Sequence, residues 1–251
     1  MMSKMAVFVV IPTLNEADNI PELLRRLAGL RICDLNVIVV DDNSCDSTAE
    51  IAIDVAASFG CSLRVLNRPD RMGIGSAYKA GFNLALKCGA DIVVQMDADL
   101  SHRPEYIPEM IVALNHHDIV IGSRYVDGAG CGKEWSLFRR LLSVTGNFLL
   151  RICLVMDIRD ITSGFKCFRS TALSKVDLDH IDCKGFGFQA ELAYACSKLG
   201  LSWLELPIFF DDRLKGKSKL TAMTIFEALR LAMVTALRRI FRFRSSFLLL
   251  S

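Results

Sequence analysis

Two aspartates, Asp97 and Asp99, stand one residue apart directly after the apolar run Ile92–Gln95. On an extended segment, residues i and i+2 point the same way, so both carboxylates can face one point in space. Two like charges that close repel unless a cation sits between them. Oxygen ligands suit a hard divalent ion such as Mg²⁺, which keeps few protein ligands and takes the rest from water and substrate phosphates. Held there, such an ion neutralises a diphosphate leaving group. An isolated Asp-x-Asp is more often a solvated turn; its position at the end of a buried strand favours the cation.

Other residues of chemical type are weaker signals. Asp41-Asp42 follows the apolar run Leu35–Val40 and can accept hydrogen bonds from a base or ribose, or cap the next helix. Gly73-Ile-Gly75 follows the third apolar run instead of the first, and the position that a dinucleotide fingerprint gives to glycine is Tyr78. A nicotinamide enzyme is thereby disfavoured, and the pair reads as a turn opening a helix. A Walker lysine motif is also absent. Of the four histidines, His102 alone lies near the aspartate pair, where a surface turn residue is expected. The nine cysteines are scattered, odd in number and free of any Cys-x-x-Cys spacing, which reads as reduced thiols in a cytosolic chain and excludes a zinc site of that type.

The elements that must position these groups alternate. Apolar strand-like runs at Val7–Ile11, Leu35–Val40, Leu63–Leu66, Ile92–Gln95 and Ile119–Gly122 are separated by helical spacings at Ile20–Leu30, Ser47–Phe59, Gly75–Lys87 and Glu105–Leu114. Asp18-Asn19 is the expected N-cap of the first helix. Strands that are apolar throughout and alternate with helices predict an α/β fold with a mostly parallel sheet covered on both faces. Ligands then bind outside the carboxyl ends of the strands. All five runs end in polar groups, in order Pro12-Thr-Leu-Asn-Glu16, Asp41-Asp42, Asn67-Arg68, Asp97/Asp99 and Ser123-Arg124. The second half is less regular: a helix over Leu137–Val155, a loop Asp160–Phe165 leading to a short strand, a helix over Gly187–Leu199, a strand over Leu204–Phe210, a basic loop Asp211–Leu220 and a long helix Thr221–Phe243.

The 251 residues are 52% hydrophobic with a formal charge of +2, enough for one large core and with no field that calls for nucleic acid. Mean hydropathy is +0.34. The apolar run that starts at Met5 stops at Pro12, and no stretch of eighteen residues lacks charge, so neither a signal peptide nor a membrane-spanning helix is expected. From Arg213 to Arg244 there are nine basic residues and one acid, Glu227, interleaved with apolar residues such as Phe226, Leu237 and Phe241. A basic amphipathic helix of this kind suits a membrane interface, or a packed contact within the domain.

The ordered motifs IPTLNE (11–16), VVDDNSCDST (39–48), GIGSAY (73–78), MDADLSHRPE (96–105), GSRY (122–125), RLLSVTGN (140–147), DITSGFKCF (160–168), GFGFQAEL (185–192) and RLKGKSKL (213–220) run through nearly the whole chain. Together they resemble the family 2 inverting glycosyltransferases of GT-A fold, and within them the polyprenyl-phosphate (dolichyl-phosphate) mannosyl- and glucosyltransferases. The resemblance implies transfer of mannose from GDP-mannose to a polyprenyl or dolichyl phosphate, with Mg²⁺ or Mn²⁺. It implies nucleotide contacts from Pro12, Leu14, Glu16, Val40, Asp42, Asp97, Ala98 and Asp99. Asp97, Asp99 and Ser101 would face the metal, Ser101 standing where many relatives carry glutamine. Arg124 joins the two aspartates as a catalytic group, and Arg139, Ser143, Arg213 and Lys219 would grip the acceptor phosphate. Where many relatives have a glycine pair after GSRY, this chain reads Val126-Asp-Gly-Ala-Gly-Cys131.

The expected organisation is a GT-A catalytic domain over 1–212, with 137–155 as a candidate membrane-interface helix, and a basic loop with an amphipathic helix over 213–251. The expected location is peripheral, on the cytosolic face of a membrane. Many relatives carry two C-terminal spanning helices that this sequence lacks, which leaves room for an anchoring partner subunit. The chemistry agrees with the resemblance: a phosphate monoester, with a second pKa of about 6, is already an anionic nucleophile at neutral pH, so no strong base is required. The alternatives are a UDP-glucose donor, a same-fold transferase with a soluble or polysaccharide acceptor, and a nucleotidyl-transferring protein, the last disfavoured by the absence of a glycine-rich signature near the first strand.

Overall fold

The structure, a computed structural model, describes residues 5–132, 137–185 and 187–211, with backbone alone over 137–142. The elements are β1 (Val7–Thr13), α1 (Ile20–Gly29), β2 (Leu35–Asp41), α2 (Thr48–Phe59), β3 (Ser62–Asn67), α3 (Ile74–Lys87), β4 (Ile92–Gln95), α4 (Ile107–Ala113), β5 (Ile119–Ser123), β6 (Gly130–Cys131), α5 (Leu137–Leu154), β7 (Lys166–Arg169), α6 (Ser170–Leu173), α7 (Phe188–Lys198), β8 (Trp203–Pro207) and β9 (Phe209–Phe210). The main sheet has the order β3-β2-β1-β4-β7-β5-β8. β1 to β4 are mutually parallel, β8 is parallel to β5, and β7 runs antiparallel between β4 and β5.

Strand periodicity sorts the side chains into two cores. Phe8 and Val10 of β1 join Tyr78 and Phe82 of α3 and Phe188 of α7 on one face. Val7, Val9 and Ile11 join Leu23 and Leu27 of α1 and Met110 of α4 on the other. This two-faced burial is why the central strands read as unbroken apolar runs.

The expected single strand over Leu204–Phe210 is two strands. β8 belongs to the main sheet, whereas β9 leaves it to pair with β6. The break falls at Pro207-Ile208, where Ile208 turns into the core and proline can donate no ladder bond. Asn19 does occupy the N-cap of α1, but its amide donates to Glu16 Oε2 at 2.8 Å instead of capping the helix. The expected elements beyond Asp211 lie outside the described residues.

Candidate active site

Strand β4 delivers the aspartate pair. Met96 and Ala98 are buried in the core, Asp97 is half-buried, and Asp99 is buried in the bend over 98–100 that follows the strand. Ser101 shapes the turn by donating both its N–H, at 3.1 Å, and its hydroxyl to Asp99 Oδ1. The Tyr78 phenol donates to Asp97 Oδ1 at 2.7 Å. Asp97 Oδ2 faces Gly164, where a Cβ would stand 3.1 Å from that oxygen, so the glycine keeps the space beside it open.

His102 is not a surface residue. It is buried, stacked on Phe165 at 5.1 Å and edge-on to Phe210 at 5.3 Å. Its Nδ1 accepts the backbone N–H of Asp97 at 3.2 Å, which makes the ring neutral with its proton on Nε2. Burial holds its pKa below the ordinary value despite the nearby aspartates. The turn after Pro104 explains the surface expectation, because nothing local in the sequence announces that Phe165 and Phe210 close over the ring.

On the neighbouring strands, Pro12 of β1 pairs in register with Val40 of β2, followed by Thr13 with Asp41. Neither member of Asp41-Asp42 caps α2, whose N-cap is Ser47. Asp41 accepts from the hydroxyls of Thr13 at 2.8 Å and Ser44 at 2.6 Å. Asp42 is buried against the Arg68 guanidinium and accepts the backbone N–H groups of Met72 and Gly73 at 3.2 and 3.0 Å. Arg68 also reaches Ser76 Oγ and the Gly73 carbonyl. The 68–73 loop is thereby fixed around Asp42.

The glycine pair at 73 and 75 has a packing role: a Cβ at either position would come within 2.7 and 2.6 Å of the Lys184 and Cys183 carbonyls respectively. Gly73 also has φ +93°, which side chains rarely adopt.

Arg124, at the end of β5, lies across β7 from the aspartate pair. Its Nε and Nη2 make a forked pair with Asp160 at 2.7 Å each, and Nη2 also donates to Thr162 Oγ1 at 2.9 Å. Burial disfavours both charges, but each is outweighed by the other: Asp160 lies below the usual carboxylate range and Arg124 above the usual guanidinium value. Glu205 of β8 holds the loop by accepting the N–H groups of Arg159 and Asp160 at 2.7 and 2.8 Å. Asn147 of α5 accepts the N–H of Ile161 at 3.0 Å. The guanidinium sits 5.3 Å from the Phe210 ring centroid, on the aromatic cluster that covers His102. Tyr125 brings Ser143 into the same neighbourhood through a 2.7 Å hydroxyl contact.

Pro12, Val40, Asp42, Ala98, both aspartates, Ser101, Arg124 and Ser143 thus lie along strand ends and the helix beside them. Leu14 and Glu16 lie on the loop from β1 to α1. Arg139 is on α5 with its side chain outside the described residues, as are Arg213 and Lys219 entirely. The sequence reading gave no role to Tyr78, Asp160, Lys166 or Gln189. Lys166 is buried on β7, donates to the Ser163 carbonyl and to Gln189 Oε1, and is lowered by burial to a pKa of about 8. The available signal was a lysine inside the otherwise apolar run Phe165–Phe168.

Among the described residues no three His, Cys, Asp or Glu side chains converge as a complete metal cage. Two carboxylates, one of them with an oxygen facing a gap only glycine allows, fit a hard cation that takes its remaining ligands from a diphosphate. Helix α5 exposes Val144, Phe148 and Ile152 along one stripe, and Val155 is exposed just after it. Among the described residues no helix is long and apolar enough to cross a membrane.

Residues 8–177 match the family described as glycosyl transferase family 2. An undecaprenyl-phosphate mannosyltransferase of Micrococcus luteus is 40% identical over 224 residues, covering 89% of this chain and 91% of that protein. A polyprenol monophosphomannose synthase of Mycolicibacterium smegmatis is 39% identical over 223 residues, covering 88% and 83%. Among solved structures, glucosyl-3-phosphoglycerate synthase from Mycobacterium tuberculosis, in complex with Mn²⁺, UDP-glucose and glycerol 3-phosphate, aligns with a TM-score of 0.62. The alignment covers 94% of this chain and 80% of that one at 22% identity, a likeness of fold.

Proposed function

This chain belongs to glycosyl transferase family 2, and on that premise we propose that it transfers mannose from GDP-mannose to a polyprenyl phosphate, with inversion, releasing GDP. The observation that carries the reading is the 40% identity to an undecaprenyl-phosphate mannosyltransferase across 89% of the chain. The enzyme is a glycosyltransferase; the donor base, the acceptor and the residue roles are our proposals.

Asp97 and Asp99 hold a divalent cation, Mg²⁺ or Mn²⁺, which when bound supplies positive charge to the departing diphosphate. The solved neighbour with Mn²⁺ and UDP-glucose supports a cation in this fold. Ser101 acts through its two bonds to Asp99. Pro12, Leu14, Glu16, Val40, Asp42 and Ala98 line the nucleoside side, with Asp42 steadied by Arg68. Arg124 approaches the phosphates as a guanidinium already aimed by Asp160. A charge held in place costs little reorganisation when negative charge develops. Ser143, Arg139, Arg213 and Lys219 receive the acceptor phosphate. That phosphate attacks as an anion, which explains how the site works with a neutral, buried His102 and no evident base. The apolar stripe of α5 and the basic 213–244 segment rest on a cytosolic membrane face, with an anchoring subunit as a further partner.

The test is transfer of labelled sugar into organic solvent from GDP-mannose or UDP-glucose, with a short polyprenyl phosphate and Mg²⁺ or Mn²⁺. Label from GDP-mannose is expected. Label from UDP-glucose alone overturns the donor assignment. Tight nucleotide binding without lipid-borne label from either donor overturns the acceptor. Arg213→Ala is expected to raise the lipid-phosphate KM more than the donor KM, and equal changes contradict its acceptor role.

A further inference from the structure

The hydrogen-bond ladder of β4 gives out just before the aspartate pair. The Met96 N–H still reaches the Val10 carbonyl of β1, at 3.3 Å. The next N–H, that of Asp97, is taken by His102 Nδ1 at 3.2 Å. Between these two residues the chain turns back on itself. Leu100, buried in that turn, has φ +64°, a left-handed conformation that residues other than glycine rarely adopt. Ser101 ties the turn internally to Asp99, and the His102 bond closes it on Asp97, the residue where it began.

The same ring is held from outside the turn. It lies on Phe165 with the two planes 17° apart, and edge-on to Phe210. Gly164 makes room for it: a Cβ there would stand 3.2 Å from His102 Cε1 as well as 3.1 Å from Asp97 Oδ2. The flanking residues dock on the segment after β9. The Asp211 N–H donates to the Ser101 carbonyl at 3.1 Å, and Arg103 Nη2 donates to Asp211 Oδ1 at 2.7 Å. Imidazole suits this position because it combines an acceptor one atom beyond Cγ with a flat stacking face. Phenylalanine offers the face alone, and asparagine the acceptor alone.

We propose that His102 is a positioning residue for the cation: its Nδ1 fixes the main chain at Asp97, and its buried ring seats the 97–102 turn against Phe165 and Phe210. The inference rests on the reading of Asp97 as a cation ligand under Proposed function. A carboxylate whose main chain can shift presents its oxygens to a metal less well. Groups that orient metal ligands typically change metal affinity about 10- to 100-fold when removed.

The experiment is a Mn²⁺ titration of the full chain followed by electron paramagnetic resonance of the free ion, which needs no turnover, with urea midpoints measured on the same samples. His102→Phe keeps a stacking ring but removes the acceptor, and is expected to weaken Mn²⁺ by about 10- to 100-fold. His102→Asn puts an acceptor oxygen back at the δ position without the ring, and is expected to recover most of that loss. His102→Ala, with neither, is expected to bind Mn²⁺ most weakly. Should His102→Phe fail to fold, His102→Asn against His102→Ala makes the same comparison, acceptor present against acceptor absent. His102→Phe with the affinity of the parent overturns the proposal. So does a Mn²⁺ affinity that follows the urea midpoint across the variants instead of the acceptor, because the ring is then packing alone. Asp97→Asn is the separate control: unchanged Mn²⁺ affinity there, or no saturable Mn²⁺ binding in the parent, removes the metal reading itself.

Discussion

The two halves of the sheet solve the same problem differently. In the β3-β2-β1-β4 half, acids stand at the rim and are satisfied by hydroxyls, backbone N–H groups and one arginine, as with Asp41 on Thr13 and Ser44 or Asp42 on the 72–73 amides. In the β7-β5-β8 half the charges are deep: Arg124 is met by the buried Asp160, and Lys166 by the neutral Gln189 amide oxygen. In the first half, Asp97 Oδ2 faces the gap at Gly164. The second fixes cationic groups behind it, where a low dielectric makes their placement count for more. The lesson is that the acids Asp41 and Asp42 are held by hydroxyls, amides and one arginine, whereas Arg124 is held by a single buried acid.

The largest expected effect lies in the first half. Asp97→Asn or Asp99→Asn removes cation stabilisation of several kcal/mol, so transfer should fall by about three decades or more. Turnover near that of the parent breaks the contrast, because it frees the strand-end acids from any catalytic duty. Next comes the buried pair. Asp160→Ala leaves Arg124 uncompensated and should cost about 3–5 kcal/mol in urea unfolding. A loss below about 1 kcal/mol, the range of an exposed pair, would mean that Arg124 finds other partners.

Lys166 sharpens the comparison through pH. Its pKa of about 8 in the fold lies below the ordinary 10.5. Below pH 8 both folded and unfolded chains hold the proton, and the burial penalty is complete. Between about pH 8 and 10.5 the unfolded chain keeps a proton that the fold has lost, so stability rises with pH, by about 3 kcal/mol in all. The parent should therefore gain on Lys166→Met across that window in urea midpoints; parallel curves contradict a buried charged lysine. A smaller effect is expected at the surface of α5, where Phe148 is 53% exposed. Phe148→Glu should lower binding to polyprenyl-phosphate vesicles by about tenfold, on the order of one apolar side chain's transfer energy. Equal binding would detach the α5 stripe from the membrane. Smallest is Asp211→Ala, which breaks a part-exposed ion pair with Arg103 and should cost less than about 1 kcal/mol.

The first half was legible because its rules are local. Unbroken apolar runs marked the strands and polar residues marked their carboxyl ends, with Asp97/Asp99 just beyond β4. The second half was less so, because β7 reverses direction and enters between β4 and β5, strands far from it in sequence. Asp160 and Lys166 were visible within DITSGFKCF, but only that insertion makes one the partner of Arg124 and the other the neighbour of Gln189. His102 shows the same limit: its burial depends on Phe165 and Phe210, which are distant in sequence. Arg213 and Lys219 remain sequence-based proposals.

The central claim is that Asp97 and Asp99 carry a divalent cation shared with the donor diphosphate. The most direct measurement is the affinity for GDP with and without Mn²⁺, in the parent and in Asp99→Asn. The account predicts that Mn²⁺ tightens GDP binding in the parent, that GDP tightens Mn²⁺ by the same factor, and that both effects disappear in Asp99→Asn. GDP affinity indifferent to Mn²⁺ in the parent, or the same coupling surviving in Asp99→Asn, would contradict it.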